Sequence, residues 1–272
     1  MRDDLMACGI RFYGHGHDHY NFDDLSYDDC LESFTLCYNY MKAWGLEPKA
    51  YAYPHGKGFE NTTKFANRMA GFICARGLTF ISNPNYICQY NELEPIDWFY
   101  LPCISVARDI EGYVNNHGDM ADVLDTCLER TAWVIIMYHS IGFPDGWGYY
   151  PYEDYIGDID QIAAHDFWCG HMGEIACYIK ERNMFVMGKK ELEAGDGWKD
   201  YSVRFWDGLD NNVYDVPITV DVMFETDSVI EKVELELPGA EETVFTVEDN
   251  TFRINVVPDE IYRTMRVFGT LP

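Results

Sequence analysis

The sequence has no Cys-x-x-Cys pair, no apolar run long enough to cross a membrane and few basic residues. Each absence excludes something. The nine cysteines (Cys8, Cys30, Cys37, Cys74, Cys88, Cys103, Cys127, Cys169 and Cys177) lack the paired spacing of a thiolate zinc knuckle. Their odd number, and the placing of most within apolar stretches, predict reduced and mainly buried thiols, as in a cytosolic or anaerobic setting. The opening Met1-Arg2-Asp3-Asp4-Leu5 is acidic and is not expected to act as a signal peptide. With no apolar stretch of about 20 residues, no membrane span is expected. Only 20 Lys and Arg stand against 46 Asp and Glu, a formal net charge of −26. Such a surface repels phosphate backbones and anionic membranes, so neither nucleic acid nor membrane is expected as a partner. A neutral or cationic partner fits better, uncharged and amino sugars included, although the charge also serves solubility alone.

What is present is ample apolar material. Of 272 residues, 47% are apolar and 16% aromatic, enough for one large domain or a medium one with a small companion. Residues 10–14 read as a short strand. Ser26 opens a helix, with Asp28 and Asp29 in its first turn and Leu31, Phe34, Tyr38 and Met41 at helical spacing, closed by Gly45. A strand follows over 49–53, a helix over 59–70, short strands over 71–75 and 78–82, and a helix over 119–131. Trp133 to His139 is a continuous apolar run rich in β-branched residues, read as a strand buried on both faces of a parallel sheet. A helix over 173–183 and a last strand at Phe185-Val186-Met187 complete an α/β pattern. After Gly195-Asp196-Gly197 the pattern changes to short strands near 201–206, 218–224, 230–237, 243–247, 252–256 and 265–268. Turn signals at Pro238-Gly239 and Asp249-Asn250 lie between them. The expected organisation is an α/β domain over 1–195 and an all-β sandwich over 196–272.

Three groups of residues carry chemistry. Gly14-His15-Gly16-His17-Asp18-His19 concentrates three of the chain's eight histidines, and imidazole is a common zinc ligand. A chance cluster on a loop is the plain alternative. Tyr53-Pro54-His55-Gly56 is a rigid turn after a strand, able to present a backbone N–H or to be an ordinary turn. His139 ends the apolar run, where ligands of parallel sheets bind, although a lone histidine there is usually a core residue. The aromatic run Trp147-Gly148-Tyr149-Tyr150-Pro151-Tyr152 offers flat faces to sugars, or is an ordinary loop.

In this order the groups resemble the motifs of the polysaccharide deacetylases, the NodB-like carbohydrate esterases of family four. The stretch Gly9 to His19 is similar to the family's second motif, which implies His15 and His19 as ligands of a divalent metal, zinc above all, with His17 spare. Ala52-Tyr53-Pro54-His55-Gly56 resembles the third motif, which implies that the His55 N–H helps hold an oxyanion. Val134 to His139 resembles the last motif, whose histidine protonates the leaving group, so the resemblance implies His55 and His139 as catalytic residues. Phe167-Trp168 and Gly173 to Arg182 resemble the closing segment of extended members, which a β-domain follows.

The resemblance implies an incomplete or distorted (β/α) barrel of polysaccharide deacetylase type with a C-terminal β-sandwich. It implies metal-dependent removal of acetyl groups from a carbohydrate, and a secreted or cell-surface location. A homo-oligomer is left open. The family's first motif, Thr-Phe-Asp-Asp-Gly, supplies the general base and a third metal ligand. Only fourteen residues precede His15 here, and no such motif lies among them. Asn21-Phe22-Asp23-Asp24-Leu25 follows the histidines and reads as the lead into the Ser26 helix. The family's third-motif arginine is replaced by Ala52, with Arg76 a stand-in or a surface ion pair. Without those aspartates the alternative is a non-catalytic carbohydrate-binding protein derived from a deacetylase, and a third reading makes the β-domain an interaction module.

Overall fold

The computed structural model describes residues 1–78, 86–224, 229–237 and 244–270. The chain is mixed α/β and divides into two compact units, Met1–Ala176 and Cys177–Pro272.

The first unit holds α1 (Arg2–Ala7), α2 (Tyr27–Ala43), β1 (Ala50–Ala52), α3 (Asn61–Met69), β2 (Cys74–Arg76), β3 (Ile104–Ser105), α4 (His117–Glu129), β4 (Ile136–Met137) and α5 (Tyr152–Ala164). Helix α2 begins and ends where its local chemistry directs. The Ser26 hydroxyl accepts from the Asp29 N–H at 3.3 Å, and Gly45 takes φ +72° just past the last turn. The helix buries Cys30, Ser33, Phe34 and Cys37, spaced to share one face. Asn116 caps α4 through the N–H groups of Gly118 and Asp119. Helix α5 has no counterpart in the sequence reading, because Pro151 precedes it in place of a capping hydroxyl or amide.

The strands of this unit are short and run parallel. Gly14 bridges Tyr51, β1 pairs with β2, Arg76 bridges Leu101, and β3 pairs with β4. Neighbours therefore follow chain order, and among the described residues the ladder does not close. The expected strand at 10–14 is reduced to the single bridge at Gly14. The expected strand at 71–75 is Cys74–Arg76, and most of that at 78–82 lies outside the described residues.

One sequence expectation about burial fails here. Val134, Ile135, Ile136, Met137 and Tyr138 are all half-buried, so the run is not sandwiched between two layers. Its other flank explains this. A cavity of about 680 Å³ is lined by Trp133 to Ile136, by Arg11 and Tyr13, and by the segment around Phe167 and Trp168. The run is thus an edge of the array.

Helix α6 (Met172–Met184) crosses the division between the units. The second unit is antiparallel. Strands β5 (Val186–Gly195), β6 (Trp198–Trp206), β11 (Tyr262–Gly269), β8 (Ile230–Leu235) and β9 (Val244–Thr246) form one sheet in the order β5-β6-β11-β8-β9. Strands β7 (Ile218–Met223) and β10 (Thr251–Val256) form a second. Phe252, Ile254 and Val256 of β10 are buried while Arg253 and Asn255 between them are exposed. They share one core with Val203 and Phe205 of β6, Val233 and Leu235 of β8, and Met265 and Val267 of β11. The two antiparallel sheets thus contribute buried residues to one apolar core, which the alternation in the sequence supplies. Phe185-Val186-Met187 does not close the α/β layer. It leads into β5, which pairs with β6 from Val186↔Trp206 onward. The Asp249-Asn250 turn is present, both residues having positive φ, whereas Pro238-Gly239 lies outside the described residues.

The nine cysteines form no disulfide with one another, and six are buried. Among the described residues no helix is long and apolar enough to cross a membrane.

Candidate functional site

Because the strands of the first unit are parallel, the residues that follow them gather at one end of the array. His15 follows the Gly14 bridge, His55 follows β1, Arg76 ends β2, and His139 follows β4. All four line one cavity of about 540 Å³, together with His19, Tyr53, Gly56, Leu78, Met137 and Trp147. His15, His19, His55 and His139, the histidines to which the family resemblance gives roles, therefore meet around a single space, His55 bringing its imidazole as well as the backbone N–H expected of it. His17 does not line it. Its ring stacks on Tyr40 at 5.5 Å and its Nδ1 pairs with Asp18 at 2.9 Å.

The rings are packed against one another. His15 and His19 meet edge to face with centroids 4.9 Å apart, and His19 and His55 do the same at 4.6 Å. The backbone beneath them is strained: His19 has φ +54° and His55 φ +56°, a region that residues with a Cβ rarely adopt. Gly56 beside His55 also has positive φ, and a Cβ there would lie 2.2 Å from that of Leu78. The Pro54-His55-Gly56 turn thus fits only with glycine at its end.

The tautomer of His15 follows from its partner. Its Nδ1 lies 2.8 Å from the Ala52 carbonyl oxygen, which can only accept, so Nδ1 carries the proton. Burial lowers the His15 pKa from its ordinary 6.5; the Ala52 bond opposes this, and Arg76, His19 and His55 add to the lowering. At neutral pH the ring is uncharged and its Nε2 holds a lone pair. Metal-binding imidazoles are oriented in the same manner. His139 is also held below its ordinary pKa, by desolvation first and then by Arg76 and His15. A T-shaped contact with Trp147 fixes its ring at 4.4 Å. The loop carrying Trp147 is folded back by Ser140, whose hydroxyl donates to the Trp147 carbonyl at 2.9 Å. Gly148 allows the close pass, since a Cβ there would lie 3.1 Å from that of His139.

Carboxylates are elsewhere. Asp23 accepts from the N–H groups of Phe59 and Glu60 at 3.2 and 3.1 Å, so it caps the approach to α3. Asp23 and Asp24 sit in a short turn ahead of Ser26, as the sequence suggested, but Asp23 serves the distant helix α3 instead of α2. Asp3 and Asp4 are occupied by Arg2 and the chain's amino group. Among the described residues no Asp or Glu lines the cavity, and no group of three or more His, Cys, Asp or Glu is placed to hold a metal ion. His15 and His19 are a pair, and zinc sites use at least three protein ligands. The residues present do not make a resident zinc site on their own.

Of the other lining residues, Tyr53 and Met137 lie in the segments that resemble the third and last motifs, and Trp147 lies in the aromatic run read as offering flat faces to sugars. Arg76 had been weighed as a stand-in arginine or a surface ion pair. It is half-buried, and its Nη1 donates to the Gly77 carbonyl at 3.3 Å.

No protein-family model matches this chain, and no curated protein does.

Proposed function

We propose that the first unit is an open (β/α) barrel of polysaccharide deacetylase type whose cavity binds carbohydrate without hydrolysing it alone, the β-sandwich being its companion domain. The observation that supports this is one cavity at the carboxyl ends of successive parallel strands, lined by four imidazoles, Arg76 and Trp147 but by no described carboxylate. Binding chemistry is present. Trp147 is 60% exposed and offers an apolar face to a sugar ring. His15, whose Nδ1 proton is held by Ala52, can accept a hydrogen bond from a hydroxyl at Nε2, and the neutral imidazole of His139 can accept from a hydroxyl or donate to a hydroxyl or an acetyl carbonyl. What deacetylation by the resembled family would add is a carboxylate to deprotonate water and complete a metal's ligand set, and no carboxylate is among the described lining residues.

A second reading, deacetylation, is favoured by one observation: His15 and His19 share the cavity with His139, the residue that the family resemblance makes the proton donor. Its missing carboxylate would come from outside the described lining.

The two are separated by titrating acidic and neutral oligosaccharides, acetylated chito- and xylo-oligomers among them, against the full chain. Acetate release is assayed in parallel with and without added zinc. Saccharide binding that is lost in Trp147→Ala, with no acetate released, is the expected result. Chelator-sensitive acetate release that disappears in His15→Ala would overturn it in favour of the enzyme.

A further inference from the structure

Arg76 is a cation without a counter-charge among the described residues of a strongly acidic chain. Elsewhere in the first unit Lys64 pairs with Asp97 at 2.9 Å, and Arg108 pairs with Asp154. Arg76 has no carboxylate partner among the described residues, although acids outnumber bases 46 to 20. The segment 79–85, which follows it closely in the chain, contains no Asp or Glu. A half-buried guanidinium that stays charged at every relevant pH is costly to desolvate unless an anion meets it. It lines the same cavity as Trp147, and among the described lining residues it alone carries a permanent charge.

We propose that this cavity binds a carboxylate through Arg76 and that the carboxylate is borne by a sugar, as in a uronic acid. This deepens the carbohydrate reading above and rests on it for the sugar. The guanidinium is planar and presents paired N–H donors that match a carboxylate in two parallel hydrogen bonds. A single fixed positive charge matches one monoanion. Trp147, its indole held by the His139 contact, supplies the apolar surface for the ring. The cavity's 540 Å³ lies within the range of roughly 300–1,000 Å³ typical of small-molecule sites. The overall charge of −26 argues for a neutral partner at long range, but at physiological salt that field is screened beyond about 8 Å. At contact distance the guanidinium governs.

The test is calorimetric titration of the full chain with methyl glucuronide, methyl glucoside and acetate. The first two share a ring and differ in a carboxylate against a hydroxymethyl group. The glucuronide is expected to bind roughly 10- to 100-fold more tightly than the glucoside. That preference should vanish in Arg76→Met and fall partway in Arg76→Lys, with thermal melting verifying that both variants fold. Equal binding of the two glycosides, or a preference that survives in folded Arg76→Met, overturns the carboxylate site and leaves the carbohydrate reading standing. Arg76-dependent binding of acetate with neither glycoside bound keeps the carboxylate site and overturns the carbohydrate reading. Binding of none of the three overturns both.

Discussion

The two units solve the same packing problem in opposite ways. In Cys177–Pro272, strands of up to ten residues lie antiparallel in long ladders over an apolar core. In Met1–Ala176, parallel strands of two or three residues make brief contacts, and much of the core is a nest of rings. Phe22 stacks on Phe34 at 4.3 Å, and Tyr51 meets Phe34 and Phe72 edge-on at 5.0 Å. Short ladders leave the strand ends free to be shaped by turns, and the candidate site stands there. Non-glycine positive φ shows the same contrast. In the second unit it falls at turn residues such as Asp249 and Asn250, which tolerate it, and in the first it includes His19 and His55, both lining the cavity. The long ladders give a rigid slab, and the short ones give a place where side chains converge.

The largest expected effect breaks this contrast at the ring nest. Phe34 is fully buried between Phe22 and Tyr51. Phe34→Ala should cost the first unit about 3–5 kcal/mol, since the neighbouring rings cannot collapse into the space. Hydrogen exchange read by peptide is the check: protection should be lost across α2 and β1 and kept across β6 and β11. Loss in all of them would show that the two units do not unfold separately.

A smaller effect sharpens the contrast through pH. Asp158 in α5 is buried with its carboxylate 2.9 Å from both His117 Nδ1 and the Tyr138 hydroxyl, and burial raises its pKa above the ordinary 3.8 despite those partners. Between 3.8 and the raised value, the folded chain holds a proton that the unfolded chain has lost. Stability from this group therefore falls as pH rises through that window. Asp200 in β6 behaves oppositely. Two 2.7 Å hydrogen bonds from Arg266 lower its pKa. Its contribution is present above 3.8 and is lost as pH falls through the lowered value. Asp200→Asn should cost about 1 kcal/mol or less at pH 7, since Arg266 is partly exposed, and nothing at strongly acid pH. Relative to Asp158→Asn, the natural chain should lose stability as pH rises from about 4. Unfolding curves from pH 3 to 7 that move both variants in the same direction would remove the contrast.

Much of this was legible in the sequence, and what was not had physical reasons. Helix α2 announced itself because Ser26, Asp29 and Gly45 act locally. The sandwich was legible because one covered face imposes strict alternation, as at Phe252, Ile254 and Val256. The histidines at 15, 19, 55 and 139 were picked out by the motif resemblance, and they line one cavity because parallel strands direct their ends to one side. The half-exposure of Trp133 to Tyr138 was not legible, since composition tells that a strand is apolar but not that it lies at an edge. Nor was the capping of α3 by Asp23, a partnership across more than thirty residues. That no described carboxylate meets Arg76 could not be read at all, because a charge's partners are set by its three-dimensional neighbours.

The smallest effect tests the polar side of the ring nest. The hydroxyls of Tyr51 and Tyr53 are buried without a hydrogen-bond partner among the described residues, and burial pushes both phenols far above their ordinary pKa of 10. They stay neutral, so pH does not enter. Removing an unsatisfied buried hydroxyl while keeping the ring costs little packing and relieves a desolvation penalty. Tyr51→Phe should therefore leave stability unchanged or raise it by up to about 1 kcal/mol, measured by denaturant unfolding. Tyr53→Phe should do the same for stability, and because Tyr53 lines the cavity it also reports whether its hydroxyl serves a ligand. A loss above about 1 kcal/mol in Tyr51→Phe would mean that the hydroxyl is satisfied in solution. The ring nest would then carry no unpaired hydroxyl at Tyr51, and the candidate site would owe nothing to a polar strain at that position.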